Sequence, residues 1–430
     1  MIPGITWVGF LGASLLSGAV MGAALGLTGF MVLHFSGQGA MQRGMESVWN
    51  TLNGFTLTAI PMFILLGEVL VHSGLSNRVF KSITPLFSCV KGGLLHANIV
   101  VCTVFGAVSG SSMSVAAAVG SVSYPELRDR GYHRPLVVAT LAAGGTLGLL
   151  IPPSLSLLIY GAITGTSIGK LFVGGILPGL LLAAFFMVTV AWLVQRRPDW
   201  APAPAERMHW GFALRSLLDI WPLLILIFGV LGSLFAGLAT PTEAASVGVV
   251  MAIVLGFFWG QLNLSGLVQS VRSTVTIFSV IGMVFMGAVI LAQSIALLGL
   301  PQQLLGGLSD LGISKYWVLL ILTLFYIVLG CFFDGLSMMI MTLPVVFPLM
   351  LGLGFDPIWL GIYITIMIEI GMLTPPVGMN LFVLVGVTKS EVNLAQAAWA
   401  AVPFWLSMLV GLGFLVVFPA IVTWLPGYVR

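Results

Sequence analysis

Two proline pairs inside apolar runs constrain this chain more than any other feature. Residues 144–154 read GGTLGLLIPPS and residues 369–380 read EIGMLTPPVGMN, so G-x-L-x-P-P occurs as Gly148, Leu150, Pro152, Pro153 and again as Gly371, Leu373, Pro375, Pro376. Proline has no backbone donor and collides with the preceding turn, so consecutive prolines in helical sequence force a break. The cost of a break depends on the solvent around it. Of the 430 residues 59% are hydrophobic and 7% charged, with a mean hydropathy of +1.13, which leaves too few polar side chains to cover a water-exposed surface of that size. The chain is therefore predicted to be an all-α polytopic membrane protein. A broken helix in a bilayer bares polar backbone, which is tolerated only where the gap is buried in protein or lines a cavity. Two such breaks at corresponding places mark a transporter's binding site.

Apolar segments fall at about 5–33, 54–73, 97–123, 136–164, 171–194, 216–238, 241–260, 273–298, 316–351, 357–388 and 395–424. Most match the roughly 20 residues that cross a bilayer. Residues 97–123 do not, because Ser109, Gly110, Ser111 and Ser112 divide them into arms of about a dozen residues. At about 1.5 Å per residue such arms cannot cross about 30 Å of hydrocarbon, so a re-entrant hairpin is predicted. The charges agree: Arg78, Lys81 and Lys91 precede the segment and Arg128, Arg130 and Arg134 follow it, and basic residues stay in the cytoplasm. The same rule keeps Arg196, Arg197, Arg207, Arg215, Arg272 and Lys389 inside and leaves Arg43, Lys170, Lys315 and Arg430 outside. Residues 316–351, interrupted at Asp334, Gly335 and Ser337, are predicted to form a second hairpin entering from the opposite face, although the first arm is long enough to span.

These landmarks repeat. Gly74-Leu75 and Gly299-Leu300, Ser112-Met113 and Ser337-Met338, and Pro178 and Pro403 each lie 225 residues apart, and the proline pairs lie 223 apart. The reading is of two repeats, each with a re-entrant hairpin and a proline-broken helix. The first is 1–195, with its hairpin at about 97–123 and broken helix at about 136–164. A connecting loop and linking helix follow at 196–240, and the second repeat is 241–430, with its hairpin at about 316–351 and broken helix at about 357–388. Five crossings, an odd number, separate Leu75 from Leu300, so the repeats are inverted and the substrate is expected at their interface near the midplane.

Groups that carry chemistry are few. Of the acids in or near spans, Asp219 and Glu243 suit helix starts, with Thr240 or Thr242 as the cap in ATPTEAA. Glu68 is read as solvated near the cytoplasmic end of its span. Asp334 is open between function and capping, and Glu369, just before the second break, is open in the same way. His34, His72, His96, His133 and His209 show no ligand spacing. Cys89, Cys102 and Cys331 are read as small buried side chains rather than a disulfide or metal set. Ser111 and Ser112 have no partner base, and no phosphate-binding G-x-x-x-x-G-K-[ST] occurs. The chain is thus expected to be no enzyme, to hold no organic cofactor and to bind no nucleic acid. With no Lys or Arg before Arg43, no cleaved signal peptide is expected.

Taken together, the SGSSMS hairpin, the G-x-L-x-P-P breaks, ATPTEAA, FDGLSMMIMTLPVVFPL and GMLTPPVGMNLF resemble the large membrane subunit of tripartite ATP-independent periplasmic (TRAP) transporters over nearly the whole chain. The resemblance implies a sodium-driven secondary transporter of organic acids, such as C4-dicarboxylates, sialic acids or other sugar acids, in a bacterial inner membrane. It also implies a small four-helix membrane subunit and a periplasmic solute-binding protein as partners. The implied mechanism is an elevator, in which a transport domain holding the hairpins and broken helices slides on a scaffold. Carried onto this sequence, the tip Ser109–Ser112 with the break Gly145–Pro153 corresponds to one sodium site, and the tip Asp334–Ser337 with the break Gly371–Asn380 to the other. The expected sodium residues are Ser109, Gly110, Ser112, Gly145, Pro152, Gly335, Ser337, Gly371 and Thr374. The expected substrate residues are Ser111, Ser154, Thr374, Asn380 and Asp334. The chemistry suits this: freed carbonyls and hydroxyls give sodium its oxygens, and helix amino ends attract an anion. The rival readings are a channel, an intramembrane enzyme, and a two-hairpin carboxylate or ion transporter that needs no binding protein.

Overall fold

The computed structural model describes residues 9–14, 20–36, 39–203, 211, 216, 218–376 and 378–428. Among these residues every regular element is helical. The chain runs through α1 (Met21–Phe35), α2 (Ala40–Leu52), α3 (Ala59–His72) and α4 (Leu75–Ile83) to a first hairpin of α5 (Gly93–Ser109) and α6 (Ser112–Asp129). A first broken helix, α7 (Arg134–Leu150) and α8 (Leu155–Thr164), follows, and then α9 (Ile168–Arg196). Beyond the polar loop come α10 (Trp221–Phe235), α11 (Pro241–Phe258), α12 (Leu264–Leu297) and α13 (Leu300–Asp310). The second hairpin is α14 (Lys315–Gly330) and α15 (Gly335–Gly352), the second broken helix α16 (Pro357–Leu373) and α17 (Met379–Val387), and α18 (Leu394–Val417) follows. Arg207, Arg215, Pro204, His209 and Arg430 lie outside the described residues.

The boundaries follow local chemistry. Gly110, with φ +64°, ends α5, and Ser111 caps α6. Ser154 caps α8, Asp334 caps α15, and Thr240 with Glu243 closes a capping box on α11. Each supplies an acceptor to amide groups that a helix start leaves free. One expectation needs correction. The arms of the first hairpin have 17 and 18 residues rather than about a dozen, because Gly93–His96 and Tyr124–Asp129, polar or turn-like in sequence, continue the helices. Their length is thus about 26 Å, and the case for a hairpin rests on the flanking charges and the sharp reversal at Gly110.

Seven described helices are long and apolar enough to cross a bilayer, or eight if the pair Ala59–His72 and Leu75–Phe87, bent by 68°, counts as one span. The surface carries apolar side chains that water would not favour, such as Phe258 at 85% exposure and Trp399 at 79%, as expected where lipid is the solvent. The chain is a multi-pass membrane protein.

The helices form two groups. In one, α12 runs along α1, α2 and α3, α11 packs on α3, and α10 packs on α11. In the other, the pairings are reciprocal: α5 and α6 pack on α7 as α14 and α15 pack on α16; α6 packs on α17 as α15 packs on α8; and α7 packs on α18 as α16 packs on α9. Even the close crossings correspond. A Cβ on Gly106 would lie 2.8 Å from the Gly148 Cα, and one on Gly330 would lie 2.5 Å from the Gly371 Cα, so only glycine lets each hairpin reach its own broken helix.

Candidate functional site

Each hairpin tip rests on the proline break of its own half. At the first tip the Leu155 amide donates to the Gly110 carbonyl at 3.3 Å, and Ser111 Oγ accepts from the Ser114 amide at 3.5 Å. Within the break, Ser154 Oγ donates to the Leu149 carbonyl, lies 3.0 Å from Ser156 Oγ and accepts from the Leu157 amide at 3.3 Å. Gly145 lets α6 approach, since a Cβ there would stand 3.2 Å from the Ser112 carbonyl. Ser109 and Ser112 are both 1% exposed, and Pro152 and Pro153 are buried.

At the second tip, Asp334 Oδ1 accepts from the Ser337 amide at 3.2 Å, which settles its local part as a cap. The Cys331 thiol donates to the Pro375 carbonyl at 3.1 Å, and Thr374 Oγ1 donates to the Ile370 carbonyl at 2.6 Å. Gly335 and Gly371 are buried, while Pro375 and Pro376 are exposed. Both proline pairs are joined by cis bonds.

Asn380 links the halves. From the start of α17 its Nδ2 donates to Ser112 Oγ at 2.5 Å and to the Ala142 carbonyl at 3.2 Å. The structure therefore brings a residue expected on substrate into contact with one expected on sodium. A second bridge lies deeper, where Ser156 Oγ is 3.3 Å from Thr365 Oγ1 of α16. Ser109 Oγ at the first tip and Asn380 Oδ1 at the start of α17 are buried without a hydrogen-bond partner among the described residues. No Lys, Arg or His occurs between Gly144 and Ser154 or between Glu369 and Asn380, so positive potential at the breaks comes from the amino ends of α8 and α17.

Other polar groupings were not apparent from spacing. Glu68, read as solvated, is 8% exposed; Ser114 Oγ of α6 donates to its Oε1 at 3.4 Å, and its carbonyl takes Ser270 Oγ of α12 at 3.1 Å. It lines a cavity of about 240 Å³ with Gln269, Arg272 and Ser273, all three from α12. Arg43 lines another cavity, of about 520 Å³, with Glu46, Asn50, Gln293 and Ala162 of α8, so it reaches the end of the first broken helix and not its break. Glu391, after α17, accepts from Tyr124 Oη at 3.0 Å and from Arg128 Nη1 at 2.9 Å, and pairs with Arg134 at 3.7 Å. The Tyr124 hydroxyl, with Arg128 and Arg134, holds its carboxyl below the ordinary range. This cluster pins the far end of the α6–α17 pair whose near end is Ser112–Asn380.

The family described as "Tripartite ATP-independent periplasmic transporter, DctM component" matches residues 8–421. The C4-dicarboxylate TRAP transporter large permease protein DctM of Pseudomonas aeruginosa is 33% identical to this chain over 411 residues, 94% of each. The sialic acid TRAP transporter large permease protein SiaM of Vibrio cholerae is 29% identical over 98% of this chain and 96% of its own. The solved structure of the Alcanivorax borkumensis YdaH transporter matches at a TM-score of 0.62 over 90% of both chains with 16% identity, a likeness of fold alone. The relatives are transporter components rather than enzymes, and on the strength of a match that spans hairpins, breaks and flanking helices alike, this chain belongs to the TRAP transporter family as a large permease, its DctM component.

Proposed function

We propose that this permease is the sodium-coupled subunit that imports an organic acid handed to it by a periplasmic solute-binding protein, beside a small four-helix membrane subunit, in a bacterial inner membrane. The observation that carries the reading is the Asn380–Ser112 bridge between two tip-and-break units. One unit joins Ser109, Gly110, Ser112, Gly145 and Pro152 as a sodium site; the other joins Gly335, Ser337, Gly371 and Thr374. Ser111, Ser154, Thr374, Asn380 and Asp334 stand around the substrate between them. Hydroxyl and amide donors, helix amino ends and the bound sodium ions meet its charge, since the breaks hold no basic side chain. Carboxylates are the favoured class because the relatives named above are permeases for C4-dicarboxylates and a sialic acid.

The reciprocal helix pairings favour two inverted repeats, 1–195 and 241–430 about the connector 196–240. The α5–α9 and α14–α18 group would be the moving body of an elevator and the α1–α3 and α10–α12 group its scaffold. Inversion is tested by cysteines at the exposed Lys81 and Asp129, which label from the cytoplasm only; labelling from opposite faces ends the inverted-repeat reading.

Function is tested in liposomes with an inward sodium gradient. Uptake of a C4-dicarboxylate or a sialic acid is expected with the binding protein and small subunit present and lost without them. Robust uptake by this polypeptide alone would instead favour the two-hairpin transporter that needs no binding protein.

A further inference from the structure

One buried acid has no part in the site as drawn. Glu369 lies in α16 with 0% exposure, among Ile366, Ile368 and Ile370, and neither of its carboxylate oxygens has a hydrogen-bond partner. An ionised carboxylate left so is among the least favourable groups a protein interior can hold. A neutral carboxylic acid costs much less, yet its hydroxyl still needs an acceptor. No described Lys, Arg or His pairs with it.

Its neighbour follows from helix register. Residues four apart share a helix face, so Glu369 continues the face of Gly361 and Thr365. That face runs along α8: a Cβ on Gly361 would touch the Tyr160 ring at 2.9 Å, and Thr365 Oγ1 is 3.3 Å from Ser156 Oγ. Each step of four up α16 is a step of four down α8, so this face of α16 carries Glu369 past the start of α8 at Leu155 toward the first break. α16 also packs on α7, on the other side of that break. The fold does not require an acid here, since the repeat offset of 223 matches Glu369 to Thr146, whose hydroxyl donates to the Ala143 carbonyl at 2.7 Å.

We propose that the Glu369 carboxylate is a direct ligand of a sodium ion held at the seam between α16 and the first proline break, supplying the fixed negative charge that the hydroxyl and carbonyl donors lack. This rests on the sodium-coupled reading above. A cation there satisfies both carboxylate oxygens together with backbone oxygens of the break. It also lets sodium bind before the anionic substrate, because the site carries its own counter-charge.

The test is sodium-dependent thermal stabilisation of the full chain in its membrane complex, titrated with sodium chloride against choline chloride without substrate. Wild type is expected to be stabilised by sodium, and Glu369→Gln to raise the half-maximal sodium concentration at least ten-fold. Glu369→Asp, which keeps the charge on a shorter arm, is expected to give a smaller rise and serves if the Gln variant does not fold. A midpoint in Glu369→Gln, or failing that in Glu369→Asp, equal to wild type overturns the assignment while leaving sodium coupling intact. A wild type indifferent to sodium overturns the sodium reading itself.

Discussion

The two tip-and-break units share a sequence pattern but differ in how the protein holds them. The first break is buried through Ser154, its tip is a two-residue reversal, and α5 and α6 pack along each other. The second exposes Pro375 and Pro376, spreads its tip over Cys331–Asp334, and lets α14 and α15 meet over a short stretch only. One motif thus serves a rigid unit at the centre of the molecule and a looser one near its surface. Few apolar contacts and an exposed backbone mark the part of a protein that opens at low cost, so the second unit is where access to the site is expected to change.

If that contrast holds, the same lesion should cost more in the first unit. At Gly110 the backbone has φ +64° and a Cβ would stand 2.8 Å from the Pro153 carbonyl oxygen, whereas at Gly378, with φ +48°, the nearest atom is the mobile end of Leu381 at 3.1 Å. Gly110→Ala should therefore add overpacking of roughly 1–3 kcal/mol to a left-handed strain of about 1–2 kcal/mol, and Gly378→Ala the strain alone. Melting temperatures of the two variants in detergent check this; equal losses would break the comparison. Next in size is Asn380→Ala, which strips a donor from Ser112 Oγ and the Ala142 carbonyl at about 1–3 kcal/mol. Because Asn380 and Ser112 are in contact, this variant and Ser112→Ala should weaken substrate and sodium binding together, each by roughly ten-fold, and the pair should be non-additive. Independent effects, with Asn380 acting on substrate alone, would separate the two ligands again.

The breaks and tips were legible because Gly, Pro and Ser carry backbone constraints that act within a turn: GGTLGLLIPPS and SGSSMS announce themselves wherever the chain folds. The arms were less so, since Tyr124–Asp129 is helical for tertiary reasons, with Tyr124 and Arg128 fastened to a loop more than 260 residues away. The same limit hid the burial of Glu68 and the partnership of Asn380 with Ser112, which are contacts between segments that no local periodicity relates. Asp334 shows a third case. Its spacing before Ser337 is compatible with both a cap and a charge, and the 3.2 Å bond from the Ser337 amide supplies the cap.

The cap gives a sharper comparison of the tips. Asp334→Ala removes an acceptor at the start of α15 and should cost about 1 kcal/mol, while Asp334→Asn keeps the cap and should cost little. Ser111→Ala, losing a 3.5 Å contact, should cost less than Asp334→Ala. Uptake as well as melting should follow this order; a large loss of uptake in Asp334→Asn at unchanged stability would show that the charge, and not the cap, is what the second tip needs.

The smallest effect concerns the far ends of the crossed pairs. α6 and α17 are tied there by Glu391 to Tyr124, Arg128 and Arg134. Among the described residues the reciprocal pair α15 and α8 is held by a neutral contact, the Tyr160–Phe347 rings at 5.9 Å. Tyr124 and the two arginines lower the Glu391 carboxyl below its ordinary value. A group whose folded value is depressed contributes stability above its unfolded value, about 4.3 for Glu, and loses it as pH falls through the folded value. The melting temperature of wild type should thus exceed that of Glu391→Gln by a constant margin at pH 5 and above, and the margin should shrink as pH drops below about 4.3. Salt should narrow it too, since exposed charges are screened over about 8 Å at 0.15 M, while Phe347→Ala at the neutral end should lose the same stability at every ionic strength. A margin for Glu391→Gln that ignores both pH and salt would mean that the loop is held by packing, and that the charged and neutral ends do not differ in kind.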